Sequence, residues 1–144
     1  MRNTESQADL AGAALPRSGP DRHVPFTAHL GMKRERAEGG EAVVSMQLHP
    51  HMLNNHGAGH GGVLMTLLDV AMAHAALSRI DYAREVITVD LHVGFMKAAA
   101  GSLVATARAT GGGRSLCFCE ARVEDSEGKL AAQAMGTFRY VEPA

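Results

Sequence analysis

Two rhythms of apolar and polar residues divide this chain. From Thr88 to Met96 the odd positions Val89, Leu91, Val93 and Phe95 are apolar while Asp90 and His92 take the even ones, the period of a half-buried strand. Leu103 to Ala109 alternates in the same way, and Leu116 to Val123 and Leu130 to Tyr140 read as two more strands. Gly111-Gly112-Gly113 and Ser126-Glu127-Gly128 supply turns between them, so the pattern predicts an antiparallel meander. Upstream, two extended runs from about Pro25 to Leu48 flank Glu38-Gly39-Gly40, a hairpin signal. In the second run Val44, Met46 and Leu48 share one side.

The other rhythm is nearly unbroken apolarity. From Val63 to Leu77 the only polar side chains are Thr66, Asp69 and His74. A helix of that composition forms a rod of about 25 Å that must be enclosed on most sides. The run from Gly61 to Leu77 is short for a membrane span and holds Asp69 at its middle, which is costly in hydrocarbon. The order of two strands, one buried helix and four strands suggests an α+β fold, a single antiparallel sheet curled around one helix. One helix covers only part of one sheet face, so the remaining surface invites a second copy of the chain.

Length and charge narrow the picture. The 144 residues suit one domain. Residues 1–24, with Pro16, Gly19, Pro20 and mixed charge, are expected to form a loosely ordered leader to a domain over 25–144. Fourteen Lys and Arg against 15 Asp and Glu leave a formal charge of -1, which predicts no broad attraction to nucleic acid or an anionic membrane. The start of the chain lacks the pattern of a secretory signal. Cys117 and Cys119 stand two apart in an expected strand, sharing a face, where a disulfide would need unusual geometry. They read as reduced, buried thiols of a cytoplasmic protein.

The stretch from Asn54 to Asp69 carries the candidate chemistry. An ionised carboxylate inside an apolar helix costs several kcal/mol unless compensated, so Asp69 is either a satisfied internal group or a functional one. The expected helix begins at His60-Gly61-Gly62, where unpaired N–H groups and the positive end of the helix dipole could hold an oxyanion. Gly61 and Gly62 would let a substrate approach those donors. Asp69 lies about 12 Å along the axis from that terminus, too far to share one substrate atom unless two chains meet. His49, His51, His56 and His60 lack the spacing of a compact zinc signature. His60 reads as an orienting hydrogen-bond partner and His74 as a core or interface histidine. Asn54 could satisfy its own turn, Thr88 could be strand filler, and Arg114 with Ser115 could start a strand or meet a phosphate.

Taken together, Asn54-x-x-Gly57-x-x-His60-Gly61-Gly62 followed by Asp69 resembles the hotdog-fold acyl-CoA thioesterases, of the phenylacetate-degradation type within the 4-hydroxybenzoyl-CoA thioesterase superfamily. The likeness continues through Thr88 to Met96, Gly113-Arg114-Ser115, Gly128-Lys129-Leu130 and Gly136-Thr137-Phe138, covering roughly 25 to 141. It implies hydrolysis of an acyl-CoA, with Asp69 as general base or nucleophile and the Gly61 N–H of the other subunit polarising the carbonyl. It also places Asn54 near that site, Thr88 as a water-orienting hydroxyl, His60 as an orienting residue, and Gly62, Arg114 and Ser115 in substrate or CoA binding. The spacing to His60 selects Asn54 over Asn55. No metal or redox cofactor is implied, since coenzyme A belongs to the substrate. A homodimer is the minimal unit and a homotetramer the expected assembly. The competing readings are a non-catalytic acyl-CoA-binding sensor and a hotdog dehydratase.

Overall fold

A computed structural model describes Pro16 and residues 18–144 of the chain. The elements are α1 (Pro25–His29), β1 (Lys33–Glu38), β2 (Glu41–Gln47), a 3-10 turn at Pro50–Met52, α2 (Gly61–Arg79), β3 (Glu85–Phe95), β4 (Ser102–Gly112), β5 (Leu116–Asp125) and β6 (Leu130–Val141). The strands form one six-stranded sheet in the order β1-β2-β4-β5-β6-β3, with every neighbouring pair antiparallel. The sheet wraps α2. Most of the expected leader lies outside the described residues; at its described end Arg22 pairs with Glu85 at the start of β3.

Three expectations need correcting. β3 does not join the meander beside β4, because β2 occupies that edge, with Val44 opposite Ala105. Instead β3 lies beyond β6, with Leu91 opposite Gly136. Its link to β4, residues 96–101, is no tight turn: six extended residues reach about 20 Å, enough to cross three strand spacings of about 4.8 Å each. The first expected extended run begins instead with the helical turn α1, since Pro25 is set in its first turn, where a proline's fixed φ suits a helix. Gly111 and Gly112 remain inside β4, paired with Phe118 and Cys117. Gly112 has φ +125° and sits so close to β5 that a Cβ would fall 2.3 Å from the Leu116 carbonyl oxygen. The turn is therefore Gly113-Arg114-Ser115.

The core forms where α2 meets the concave face of the sheet. Leu64, Leu67, Leu68, Ala71, Met72, Ala75 and Ala76 are buried on the helix, each large side chain contributing about 1.5–3 kcal/mol by leaving water. Opposite them the sheet presents Ala42, Ala105, Ala107, Ala121, Ala132 and Ala134, with Phe138 as the large filler. Small residues on the strands let the helix seat deeply. Tyr140 donates its hydroxyl to the Ala76 carbonyl at 2.7 Å. The two cysteines are unbonded and buried, their sulfurs 3.7 Å apart, and burial pushes the Cys119 thiol up. α2 has 19 residues and a mean hydropathy of 1.4, enough to cross a membrane by length and composition. Here that apolarity is spent against the sheet.

α2 ends at Arg79 with Ile80 as its C-cap, after which Asp81 (φ 51°) and Tyr82 (φ 58°) adopt the left-handed conformation in succession. Such residues are uncommon there and cost energy. The Tyr82 N–H returns to the Leu77 carbonyl at 2.9 Å. This tight reversal sends the chain to the far edge, where β3 begins.

At the helix-to-sheet contact, a Cβ added at Gly136 would meet Leu91, Met72 and Phe138 at 3.0–3.1 Å. Gly136→Val should therefore overpack this point and lower stability by about 1–3 kcal/mol. Urea unfolding followed by circular dichroism measures it, and an unchanged midpoint would contradict the close packing.

Candidate active site

A bulge in β3 decides where Thr88 points. Thr88 lies opposite Phe138 and Asp90 opposite Thr137, so Val89 is an extra residue in the ladder. Strict alternation would keep Thr88 on the outer face with Asp90 and His92. The bulge breaks that phase and re-aims the side chain, so that Thr88 faces α2 together with Leu91. Its hydroxyl donates to Asp69 Oδ1 at 2.7 Å.

Asp69 stands on the stripe of α2 that the sheet leaves uncovered. Burial raises its pKa above the usual carboxylate value, and the Thr88 hydrogen bond offsets part of that rise. Desolvation makes the carboxylate a stronger base, while the hydroxyl steadies its charged form. The second oxygen, Oδ2, has no partner among the described residues and is not sealed from solvent. It opens into a cleft of about 480 Å³ between α2, the β3 edge and α1, walled by Phe26, Met65, Val70, Ala73, Val86 and Leu91.

The start of α2 is built around its glycines. His60 is the N-cap, and its Nδ1 accepts the Gly62 N–H at 2.9 Å. The His60 carbonyl accepts from Val63 and Leu64 at 2.9 and 3.2 Å. The Gly61 N–H is left without an acceptor among the described residues. A side chain at Gly61 would touch the Phe95 ring at 3.4 Å. The loop before it is knitted by Asn54, whose Oδ1 accepts from the N–H groups of His56 and Ala58 at 2.8 and 3.1 Å. Its carbonyl accepts from Gly57 at 3.1 Å.

Of the residues singled out by sequence, one chain gathers Asp69, Thr88 and Gly62 around a single cleft. Asn54, His60 and Gly61 form a second group at the helix start. Arg114 and Ser115 sit at the other end of α2, in the turn where Arg79 donates to the Gly113 carbonyl at 3.3 Å. That turn is about 15 Å along the axis from Asp69. His60 is engaged with the Gly62 N–H. The other histidines do not gather around it: His49 stacks on His51 at 6.0 Å, and His29 lies 6.4 Å from His51. Among the described residues no three His, Cys, Asp or Glu side chains are placed to hold a metal ion.

Sequence reasoning missed the far end of the cleft. His74 lines it, and its Nδ1 lies 2.8 Å from the Tyr82 hydroxyl. Burial, followed by the charges of Arg22 and Arg34, lowers the His74 pKa to about 4, so the imidazole is neutral. As one of only three polar side chains between Val63 and Leu77, His74 was a readable signal. Tyr82 gave none, because its position follows from the left-handed reversal.

Comparison with known proteins bears on what this arrangement does. Residues 56–132 match the family described as the thioesterase superfamily. A protein of Halobacterium salinarum named "putative esterase" is 34% identical over 139 residues, covering 88% of this chain and 91% of its own. The structure of a conserved protein of Pseudomonas aeruginosa superimposes with a TM-score of 0.79 at 29% identity, over 83% of this chain and 95% of that one. The PaaI protein from the phenylacetic acid degradation operon of E. coli shares the fold, with a TM-score of 0.78 at 24% identity over 85% and 88% of the two chains. With its six antiparallel strands around one long helix, this chain has the hotdog fold and belongs to the thioesterase superfamily.

Proposed function

We propose that the chain hydrolyses acyl-CoA thioesters to a carboxylic acid and coenzyme A. The observation that carries this reading is Asp69 itself: a carboxylate made more basic by burial, fixed by Thr88 at 2.7 Å, with its second oxygen open to an apolar cleft. In the general-base form Asp69 takes a proton from water, whose oxygen then adds to the thioester carbonyl carbon. In the nucleophilic form Oδ2 attacks that carbon and water later cleaves the anhydride. Either way an oxyanion forms, its collapse breaks the C–S bond, and the coenzyme A thiolate takes up a proton. No metal or redox cofactor enters this scheme, and coenzyme A comes and goes as part of substrate and product.

An oxyanion needs a donor, and the free Gly61 N–H at the positive end of α2 supplies one. Within one chain it is about 12 Å along the axis from Asp69. A homodimer joined along β3 closes that gap. Among the described residues β3 pairs on one side only, with β6, and exposes Ile87, Val89 and Phe95 at 49%, 55% and 53%. Each site would then take Asp69 and Thr88 from one subunit and Gly61 from the other. His60 holds the Gly62 N–H and Asn54 holds the loop, so both act by aiming Gly61. Arg114 and Ser115 of either subunit would meet the coenzyme A phosphates, and two dimers would pair as a homotetramer. The protein would act in the cytoplasm on a small-molecule substrate, without nucleic acid or membrane. A non-catalytic acyl-CoA sensor would have no use for a desolvated base.

Asp69→Asn should lower turnover by about 10²–10⁴-fold in a folded protein, read as thiol release; near-normal hydrolysis would sink the assignment. The folded-state pKa of Asp69 is raised, so its charged form weakens the fold once pH rises above the ordinary carboxylate range. Asp69→Asn should accordingly raise Tm at pH 7 and leave it nearly unchanged near pH 4. Thr88→Ala removes the bond that favours the charged carboxylate. Its rate should fall by about tenfold, and the acid limb of its pH–rate profile should move to higher pH. A profile that stays in place or moves down would contradict the role of the hydroxyl.

Shared sites predict complementation. Gly61→Pro deletes the N–H at a helix position that accepts proline, after a residue already extended at ψ 135°. Gly61→Pro and Asp69→Asn chains should each be nearly inactive. Mixed after unfolding and refolded at equal amounts, they should regain about a quarter of the wild-type activity, because half the dimers are mixed and each holds one intact site. No recovery from mixed dimers would place both groups within one subunit.

A further inference from the structure

The mechanism leaves one polar side chain of the cleft without a task. Between Val63 and Leu77 the polar residues are Thr66, Asp69 and His74; Asp69 is held by Thr88 and His74 by Tyr82. Thr66 lies three positions before Asp69, so the two share a face of α2 with Cβ atoms about 5–6 Å apart. Both are half-buried and both line the cleft. The Thr66 hydroxyl donates to the Gly62 carbonyl at 2.8 Å. A threonine in any helix can bond the carbonyl four residues back, so that bond alone implies no function. Its effect is on what the oxygen has left to offer.

A hydroxyl has one hydrogen. With that hydrogen fixed on Gly62, Thr66 Oγ1 turns only lone pairs towards the cleft. The carbonyl it uses is itself held, because the Gly62 N–H is tied to His60 Nδ1 at 2.9 Å. Thr88 has likewise spent its hydrogen on Asp69 Oδ1. Asp69 Oδ2 and Thr66 Oγ1 are therefore neighbouring acceptors, and neither has a donor among the described residues. Such a pair selects a ligand with two hydrogens on one atom. A water donating both at about 2.8 Å spans acceptors about 4.5 Å apart, which suits side chains at this spacing. Held by both, its lone pairs point away from α2 and into the cleft.

We propose that Thr66 is a catalytic residue of the hydrolysis: its Oγ1 and Asp69 Oδ2 together hold the attacking water, which selects the general-base form of the reaction. The inference rests on the thioesterase reading. The water oxygen forms a bond to the thioester carbon while one of its protons passes to Oδ2, and the carbonyl π pair moves onto the carbonyl oxygen. The second proton stays on the water oxygen and keeps its hydrogen bond to Thr66. Collapse of the oxyanion expels the thiolate, which takes the proton from Asp69, so the carboxylate is restored as the acid leaves. A water on Oδ2 alone could swing about its single bond. The second acceptor fixes its direction before the reaction begins.

Methanol tests this, because it has only one O–H to give. It can satisfy Oδ2 but sets a methyl group against Thr66 Oγ1, so wild type should favour water. Hexanoyl-, benzoyl- and phenylacetyl-CoA are turned over by the full-length protein in dilute methanol, and free acid and methyl ester are measured by mass spectrometry with uncatalysed rates subtracted. Thr66→Val keeps the shape and removes the acceptor. It should lower acid formation by about tenfold with KM nearly unchanged, while ester formation holds or rises, so the ester-to-acid ratio climbs. Thr66→Ser, which keeps the oxygen, should stay near the wild-type ratio. That ratio is internal to the folded fraction, and a merely structural role would lower both products together. Thr66→Ala removes the same acceptor with less bulk and should show the same rise, which covers poor folding of the valine variant. A ratio unchanged in Thr66→Val and Thr66→Ala, or raised equally in Thr66→Ser, would overturn the proposal. Thiol release with an unmoved ratio defeats this inference alone, whereas no thiol release from any thioester by wild type defeats the reading beneath it.

Discussion

A helix that is apolar on nearly every side needs more cover than one sheet can give, and the rest of this structure follows from that shortage. The six strands curl around α2 and bury the leucine-rich side. They cannot close the circle. The uncovered stripe carries Thr66, Asp69, Val70, Ala73 and His74, and it forms one wall of the cleft. A carboxylate on that stripe is neither in water nor in the core. That intermediate setting raises its pKa, and the Thr88 hydrogen bond offsets part of the rise.

The same shortage explains the exposed edge. Among the described residues β3 has β6 on one side only and carries Ile87, Val89 and Phe95 outward, a combination that favours pairing with another strand. Function and assembly are therefore coupled in the proposed scheme. The proposed oxyanion donor at Gly61 and the proposed base at Asp69 lie on one helix, so no side-chain motion within a chain can bring them to a common atom. Only a second helix can do so. The active chemistry would then depend on subunit contact as directly as on either residue.

Much of the fold was legible because strand and helix leave different periods in the residue pattern. α2, both hairpin-forming runs and the four later strands stand where Val44 to Leu48, Val63 to Leu77 and the alternations after Thr88 place them. Strand order was less legible, since alternation records which face a residue takes but not which neighbour it has. The site was partly legible. Asp69 announced itself as a charge in an apolar helix, and His60-Gly61-Gly62 as a helix start. Thr88 was named only through the family resemblance: alternation alone places it on the outer face, and the bulge at Val89 that turns it inward has no mark in the residue pattern.

By itself the sequence determined most of the elements, the single carboxylate of the buried helix, its glycine start and the family motif, because these depend on local spacing and composition. Only the tertiary structure decided that Thr88 meets Asp69, that Tyr82 turns back onto His74 and that β3 closes against β6 rather than β4. Those contacts join residues 19, 8 and tens of positions apart. Each depends on a backbone irregularity or a crossing link, whose geometry is set by how helix and sheet pack together rather than by the residues at the contact.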